Sequence, residues 1–149
     1  MVRAIVIVGL VVGAIVLTLF GSRLLDTTGD TADHPECDLL AGACSWTTQD
    51  GEWRVRLQEV EEGAQGMEYV LQVSVSKAPD RFLAVLKGQS MYMGEYPVPL
   101  VREAPLEYQA RFTAPFCTTG ADMIWRIELQ DGQERLENVP WTLVFKAQK

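Results

Sequence analysis

Histidine is nearly absent from this chain of 149 residues, in which His34 is the only one. Because Ser-His and Cys-His nucleophiles both need an imidazole base, neither can be assembled from the residues that follow it. Acidic loops of the calcium-binding type are missing too, as is a phosphate-cradling glycine run between a strand and a helix. We therefore predict that the protein is not an enzyme. A single histidine in a polar stretch is normally a solvated side chain.

Basic residues are also scarce, with 13 Lys and Arg against 20 Asp and Glu. Residues 1–25 contain two arginines and no acid, so the remaining residues carry a net charge of −9. A domain this acidic repels phosphate backbones, which excludes nucleic acid as a partner. A cation or a basic protein surface remains a compatible partner.

Long apolar runs are missing except at the amino end, where Ala4 to Phe20 is free of charge. At about 1.5 Å per residue this run covers roughly 25 Å, enough for a thin hydrocarbon core. We predict a retained transmembrane anchor over residues 1–25, held in membrane lipid and followed by a polar linker over residues 26–36. A cleaved secretory signal is the alternative, but no small-x-small site follows the run. Arg3 and the terminal amine favour a cytoplasmic amino end and an exported body.

Cysteine occurs three times, at Cys37, Cys44 and Cys117. In an exported chain thiols tend to pair, and three leave one over. Cys37 with Cys44 would close a short loop at the start of the domain, whereas either of them with Cys117 would close a much longer one. We favour the short pair. Cys117 would then be a free thiol, available to a soft metal or buried as a small apolar residue.

Apolar and polar residues alternate in several short segments after the linker, as in half-buried strands. The alternation predicts an all-β, antiparallel sandwich of about seven strands over residues 37–149, with no amphipathic helix. Residues 61–66 are predicted as a loop, and Asp131-Gly132 as a hairpin turn. The clearest alternating sets are Trp53, Val55 and Leu57; Tyr69, Leu71 and Val73; and Met123, Trp125, Ile127 and Leu129.

Met91 and Met93 are separated by one residue, so they fall on the same side of an extended backbone. Thioether sulfur is a soft ligand suited to copper(I), and two on one face offer half a site. Cys117, Met67 or Met123 could supply a third sulfur. The alternative is that these methionines fill irregular gaps in the core.

Four short motifs resemble the FixH/YtkA-like group of membrane-anchored periplasmic proteins. The resemblance implies an immunoglobulin-like sandwich, a periplasmic location on the inner membrane, and a role in copper handling or in the assembly of haem–copper respiratory oxidases. It also places Met91 and Met93 in the group's methionine-rich segment, although Glu95 and Tyr96 stand where a histidine is often expected. The motifs are Gly88-x-Ser90-Met91-x-Met93-Gly94, Tyr108-x-Ala110-x-Phe112, Pro115-x-Cys117 and Trp125-x-Ile127-x-Leu129.

Two functions of different class follow. The first is a single-pass, copper(I)-binding accessory protein that assists a respiratory oxidase or a copper-handling protein, with Met91, Met93 and Cys117 as ligands. The second is a metal-free interaction module that contacts a membrane protein complex. In the second, exposed aromatic side chains would supply the contact surface, the candidates being Trp46, Trp53, Tyr92 and Tyr96.

Overall fold

A computed structural model describes residues 34–63, 66–90, 93–115 and 123–147. The predicted anchor over residues 1–25 and most of the predicted linker lie outside the described residues. No helix in the described ranges is long and apolar enough to cross a membrane. The described residues form eleven strands: β1 Glu36–Asp38, β2 Cys44–Thr48, β3 Gly51–Gly63, β4 Gly66–Ser74, β5 Phe82–Gly88, β6 Glu95–Pro99, β7 Val101–Ala104, β8 Glu107–Thr113, β9 Met123–Asp131, β10 Glu134–Arg135 and β11 Thr142–Ala147.

The strands form two sheets, which confirms the all-β, sandwich-like architecture. One sheet has the order β1-β11-β9-β5-β6, with β10 pairing to β9, and the other has the order β2-β3-β4-β8-β7. Every pair is antiparallel except β1 with β11, which is parallel. The prediction of about seven strands was low because it did not include β1, β2, β6 and β10, which have five residues or fewer. Such short strands carry no readable alternation.

The core lies between the two sheets and is built from the alternating positions. In β9 the inward residues Met123, Trp125, Ile127 and Leu129 are all at most 3% exposed. Trp125 is the largest fully buried side chain of the described residues. Its Nε1 donates a hydrogen bond of 3.0 Å to the carbonyl oxygen of Pro115, so its one polar atom is satisfied.

The chain crosses between the sheets at both of their edges. At one edge a disulfide joins Cys37 in β1 to Cys44 in β2, as we predicted from the short spacing. At the other edge Leu100 connects β6 to β7, and its backbone N donates to the carbonyl oxygen of Phe82 at 3.0 Å. Leu100 is 7% exposed, so the crossing itself belongs to the core.

Two turn predictions had different outcomes. The Asp131-Gly132 turn is confirmed, with Gly132 at a φ of 62° between β9 and β10. The loop over residues 61–66 is wrong in extent, because β3 runs to Gly63 and Glu61 pairs with Glu68. The hairpin continues for three pairs beyond the pair of Glu59 with Tyr69, where the apolar alternation stops, so the alternation underestimates the length of both strands.

Candidate metal centre at one end of the sandwich

Strand ends from both sheets meet at one end of the sandwich, which we call the sulfur pole. It is the end at which β4, β6 and β9 begin and β5, β8 and β11 finish. Met67 is the second residue of β4, Met93 precedes β6, and Met123 is the first residue of β9. Every methionine of the described residues therefore lies at this pole.

The three described methionines differ in how deeply they are buried. Met123 is 3% exposed and belongs to the core, whereas Met67 and Met93 are partly buried and pack against it. Of the predicted ligands Met91, Met93 and Cys117, Met93 is the one that lies within the described residues. Its side chain is partly buried and packs against the core. Gly94 follows it with a φ of 86°, a conformation that turns the chain into β6 and that glycine adopts without strain.

Met91 and Cys117 fall in residues 91–92 and 116–122, outside the described residues. The described residues on either side of these two segments are in contact with each other. Ser90 Oγ donates to Met123 Sδ at 3.8 Å, and the backbone N of Gln89 donates to the carbonyl oxygen of Ile124 at 2.9 Å. The described residues that flank the segment with Met91 and the segment with Cys117 therefore lie at the sulfur pole.

The methionine sulfurs of the described residues at the pole are soft metal ligands. Among the described residues no group of three or more His, Cys, Asp or Glu side chains could hold a metal ion. His34 lies at the other end of the sandwich, where Thr142 Oγ1 donates to its carbonyl oxygen at 3.4 Å at the start of β11. With Cys37 and Cys44 joined, Cys117 is the one cysteine of the chain left outside that disulfide. Thioethers and a thiol match copper(I) and suit neither calcium nor magnesium.

A charged cluster lies beside the pole on the outer face of the sheet that contains β9. Lys87 Nζ is 2.9 Å from carboxylate oxygens of both Glu95 and Glu128, and Arg126 also binds Glu128 at 2.9 Å. The Glu128 side chain is 7% exposed although it points away from the core. Burial acts to lower the pKa of Lys87, but the hydrogen bonds to Glu128 and Glu95 outweigh it and raise that pKa above its ordinary value of 10.5.

Sequence reasoning missed this cluster. Glu128 occupies a polar position of an alternating strand, which normally means exposure to solvent. Its burial follows from register, because β9 pairs Glu128 with Val85 and Arg126 with Lys87, residues about forty positions earlier. No local pattern around Glu128 carries that information.

Three of the five exposed large apolar side chains of the described residues lie on β6, on β7 and in the turn that follows β7. Tyr96, Val101 and Leu106 are 40, 61 and 42% exposed. Trp46 and Trp53, which we considered as contact residues, are instead 8 and 9% exposed and stack on each other with ring centroids 5.9 Å apart. Tyr92 lies outside the described residues, so Tyr96 is the described aromatic side chain that is available at the surface.

Comparisons of the chain with known protein families, with curated proteins and with solved structures found no match. The resemblance to the FixH/YtkA-like group therefore stays a prediction.

Proposed function

We propose that the sandwich is immunoglobulin-like. The order β3-β4-β8-β7 corresponds to strands A-B-E-D of that fold, and β11-β9-β5-β6 corresponds to strands G-F-C with one added strand. On this assignment β1 and β2 are additions at the amino end, joined by their own disulfide. The crossing at Leu100 is then the change of sheet between the added strand and strand D.

The domain is held outside the cytoplasm on an inner-membrane anchor. The uncharged run from Ala4 to Phe20 supports the anchor, and the Cys37–Cys44 disulfide supports an oxidising compartment such as the periplasm. Residues 26–36 connect the two parts.

The protein acts as an accessory protein that binds copper(I) and assists the assembly of a respiratory oxidase. One observation carries this proposal: the contact between Ser90 and Met123 joins the segment of Met91 to the end of the segment of Cys117. The described neighbours of two segments that are more than twenty residues apart thereby lie at one pole, which supports a site shared by Met91 and Cys117.

In this proposal three sulfur ligands from two segments of the chain would bind the ion. Met91 and Met93 would hold the ion from one segment, and Cys117 would supply the third sulfur from the other. Copper(I) bound by neutral thioethers exchanges readily with a second soft site, which is the chemistry that a delivery protein needs. Met93 packs against the core and is only partly buried, which suits a ligand that is positioned by its neighbours and still accessible to an ion.

A competition titration with a chromogenic copper(I) chelator tests this function on the full chain in detergent. We expect the unchanged protein to bind one copper(I) with micromolar affinity or tighter. M91L/M93L should lose that binding, because leucine keeps the volume of methionine and removes the donor. V101L, an apolar change on exposed β7 at the other end of the sandwich, is the matched control and should titrate like the unchanged protein.

An unchanged titration in M91L/M93L would remove these methionines from the site. Loss of binding in V101L as well would point to damage to the fold. Zn²⁺ in place of copper(I) is a second control, since it prefers nitrogen, thiolate and carboxylate ligands. The proposed site offers it Cys117 alone beside two thioethers, so Zn²⁺ should bind more weakly than copper(I).

The metal-free interaction module is the second candidate, and the exposed apolar side chains of β6 and β7 favour it. Val98, Pro99 and Val101 line a groove of about 410 Å³ beside them. Pro97 and Pro99 leave β6 without two backbone donors, so a partner would bind through side chains and not by adding a strand. Pull-down of membrane complexes with and without a copper(I) chelator separates the two functions. A partner that V101D loses and the chelator leaves bound would favour the module.

A further inference from the structure

Half of β3 has an open edge among the described residues. The strand runs from Gly51 to Gly63, but on the side away from β4 it pairs with β2 only from Gly51 to Val55. Residues 56–63 therefore have no neighbouring strand of the described residues on that side. The outermost strands of the two sheets are less suited to pairing, because β1, β2, β7 and β10 have at most five residues and β6 contains two prolines.

The register of the β2–β3 hairpin indicates which backbone groups face the open side. A two-residue turn separates Thr48 from Gly51, and these two residues exchange the hydrogen bonds that close the hairpin. Alternate residues of a strand direct their N–H and C=O groups to the same side, so Val55 also faces β2. Leu57 and Glu59 continue this set beyond the end of β2. Each offers one N–H donor and one C=O acceptor to a strand added there.

A groove of about 760 Å³ lies beside this edge. Leu40, from the loop that the disulfide closes, is its lining residue outside β3. Val60 also lines it, is 49% exposed, and lies where the pairing of β3 with β4 is interrupted by a bulge. An extended segment in the groove would gain main-chain hydrogen bonds from β3 and apolar contacts with Leu40 and Val60.

Charge separates the candidate occupants of the groove. Residues 56–63 contain one base, Arg56, and three acids, of which Glu59 and Glu61 are exposed. Two copies of this edge would each carry a net charge of −2 and repel each other. Residues 26–33 contain three aspartates and no lysine or arginine, so they would be repelled in the same way. A segment that carries lysine or arginine matches the edge.

We propose that the open edge of β3 binds an extended, basic segment of a partner protein, which adds to the sheet as a strand beside Leu57 and Glu59. The proposal does not depend on copper, because the groove contains none of the proposed sulfur ligands. Glu62, near the end of β3, pairs with Met67. The edge thus ends at the sulfur pole, and a partner bound along it would lie beside the proposed copper site.

Backbone amide hydrogen exchange, measured by nuclear magnetic resonance, tests the proposal on the full chain in a nonionic detergent with a copper(I) chelator present. The probe is the capped peptide (Lys-Val)3-Lys, titrated to about 1 mM, tenfold above an expected Kd of about 100 μM. We expect the peptide to slow exchange of the Leu57 and Glu59 amides by about fivefold or more. The Gln58 amide should change little, because its alternate position faces β4.

Two further peptides separate strand addition from general attraction of charge. The capped peptide (Glu-Val)3-Glu has the same kind of backbone with the opposite charge and should not bind. The basic peptide with methyl groups on its three central backbone nitrogens keeps its charge but loses donors on both edges. It should bind at least about tenfold more weakly than the unmethylated peptide.

Matched variants test where the charge acts. E59Q/E61Q removes two exposed acids from the open edge and should weaken binding of the basic peptide by about three- to tenfold. E103Q/E107Q removes two exposed acids from the β7–β8 hairpin and changes the net charge of the chain equally. It should bind the peptide like the unchanged protein.

Four results would overturn the proposal. The first is protection of the Leu57 and Glu59 amides in the free protein, which would mean that another part of the chain or a second copy already covers the edge. The second is exchange of these amides that the basic peptide does not slow. The third is equal binding of the methylated peptide, which would reduce the interaction to charge alone. The fourth is an equal loss of affinity in E59Q/E61Q and E103Q/E107Q.

Discussion

Ser90 Oγ lies 3.8 Å from Met123 Sδ, although the two residues are 33 positions apart in the chain. This contact fixes the end of β5 against the start of β9, which are neighbours in one sheet. The two segments that carry Met91 and Cys117 begin or end at these residues. The contact therefore supports the proposal that the methionine pair and Cys117 contribute to one site.

Replacing Lys87 tests whether the charged cluster beside the pole stabilises the fold. K87M removes one of the two cations that pair with the nearly buried Glu128 among the described residues, so the free energy of unfolding should fall by about 1–3 kcal/mol. R54M is the control, since Arg54 and Glu52 form a pair whose side chains are 59 and 63% exposed. It should change stability by less than about 0.5 kcal/mol in urea unfolding. Equal losses in the two variants would contradict a stabilising role for Lys87.

The same cluster predicts how stability depends on alkaline pH. The pKa of Lys87 is raised in the fold above its ordinary value of 10.5, so its proton is held more tightly in the folded state than in the unfolded one. The resulting stabilisation is complete at neutral pH and is lost as the pH rises through the raised pKa. Between about pH 9 and about pH 12 the unchanged protein should lose more stability than K87M. Parallel urea midpoints for the two proteins over this range would show that Lys87 is not coupled to folding.

Gly51 is required where β2 turns into β3. Its φ is 127°, and an added Cβ would lie 2.7 Å from Cβ of Ser76. G51A should therefore lower the free energy of unfolding by about 2 kcal/mol or more. G42A is a matched control, because nothing lies within 4 Å of the same atom at Gly42. It should change the midpoint of thermal unfolding little, and a similar loss in both variants would refute the steric explanation.

Leu106 holds a strained backbone at the turn between β7 and β8, with a φ of 63°. Its side chain is exposed, so an asparagine there loses little packing and tolerates this conformation better. L106N should raise the free energy of unfolding by about 0.5–1 kcal/mol, and L106V should lower it, since a β-branched residue tolerates this region least. Calorimetry of the two variants checks the sign. A loss of stability in L106N would mean that the apolar contacts of Leu106 outweigh the strain.

Alternation of apolar residues predicted the long strands well. The set from Met123 to Leu129 and the set from Tyr69 to Val73 face the core as expected, because burial on one face imposes a period of two. The short disulfide also followed from spacing alone. These features depend on neighbours in the sequence.

Features that depend on distant neighbours escaped sequence reasoning. The burial of Glu128 requires the register of β9 with β5, and the parallel pairing of β1 requires β11 more than a hundred residues later. From the sequence Trp46 is predicted as a candidate contact residue, but in the structure it is buried and stacks on Trp53 across the hairpin of β2 and β3. The gathering of Met67, Met93 and Met123 at one pole likewise appears only when the strand ends are placed in space.

X-ray absorption at the copper edge tests the central claim most directly, since it reports which atoms surround the ion. We predict that copper(I) bound to the full chain has two or three sulfur neighbours, and that M91L/M93L reduces that number or abolishes loading. A first shell of nitrogen and oxygen alone, or a sulfur shell that M91L/M93L leaves unchanged, would contradict the assignment of the site to the methionine pair.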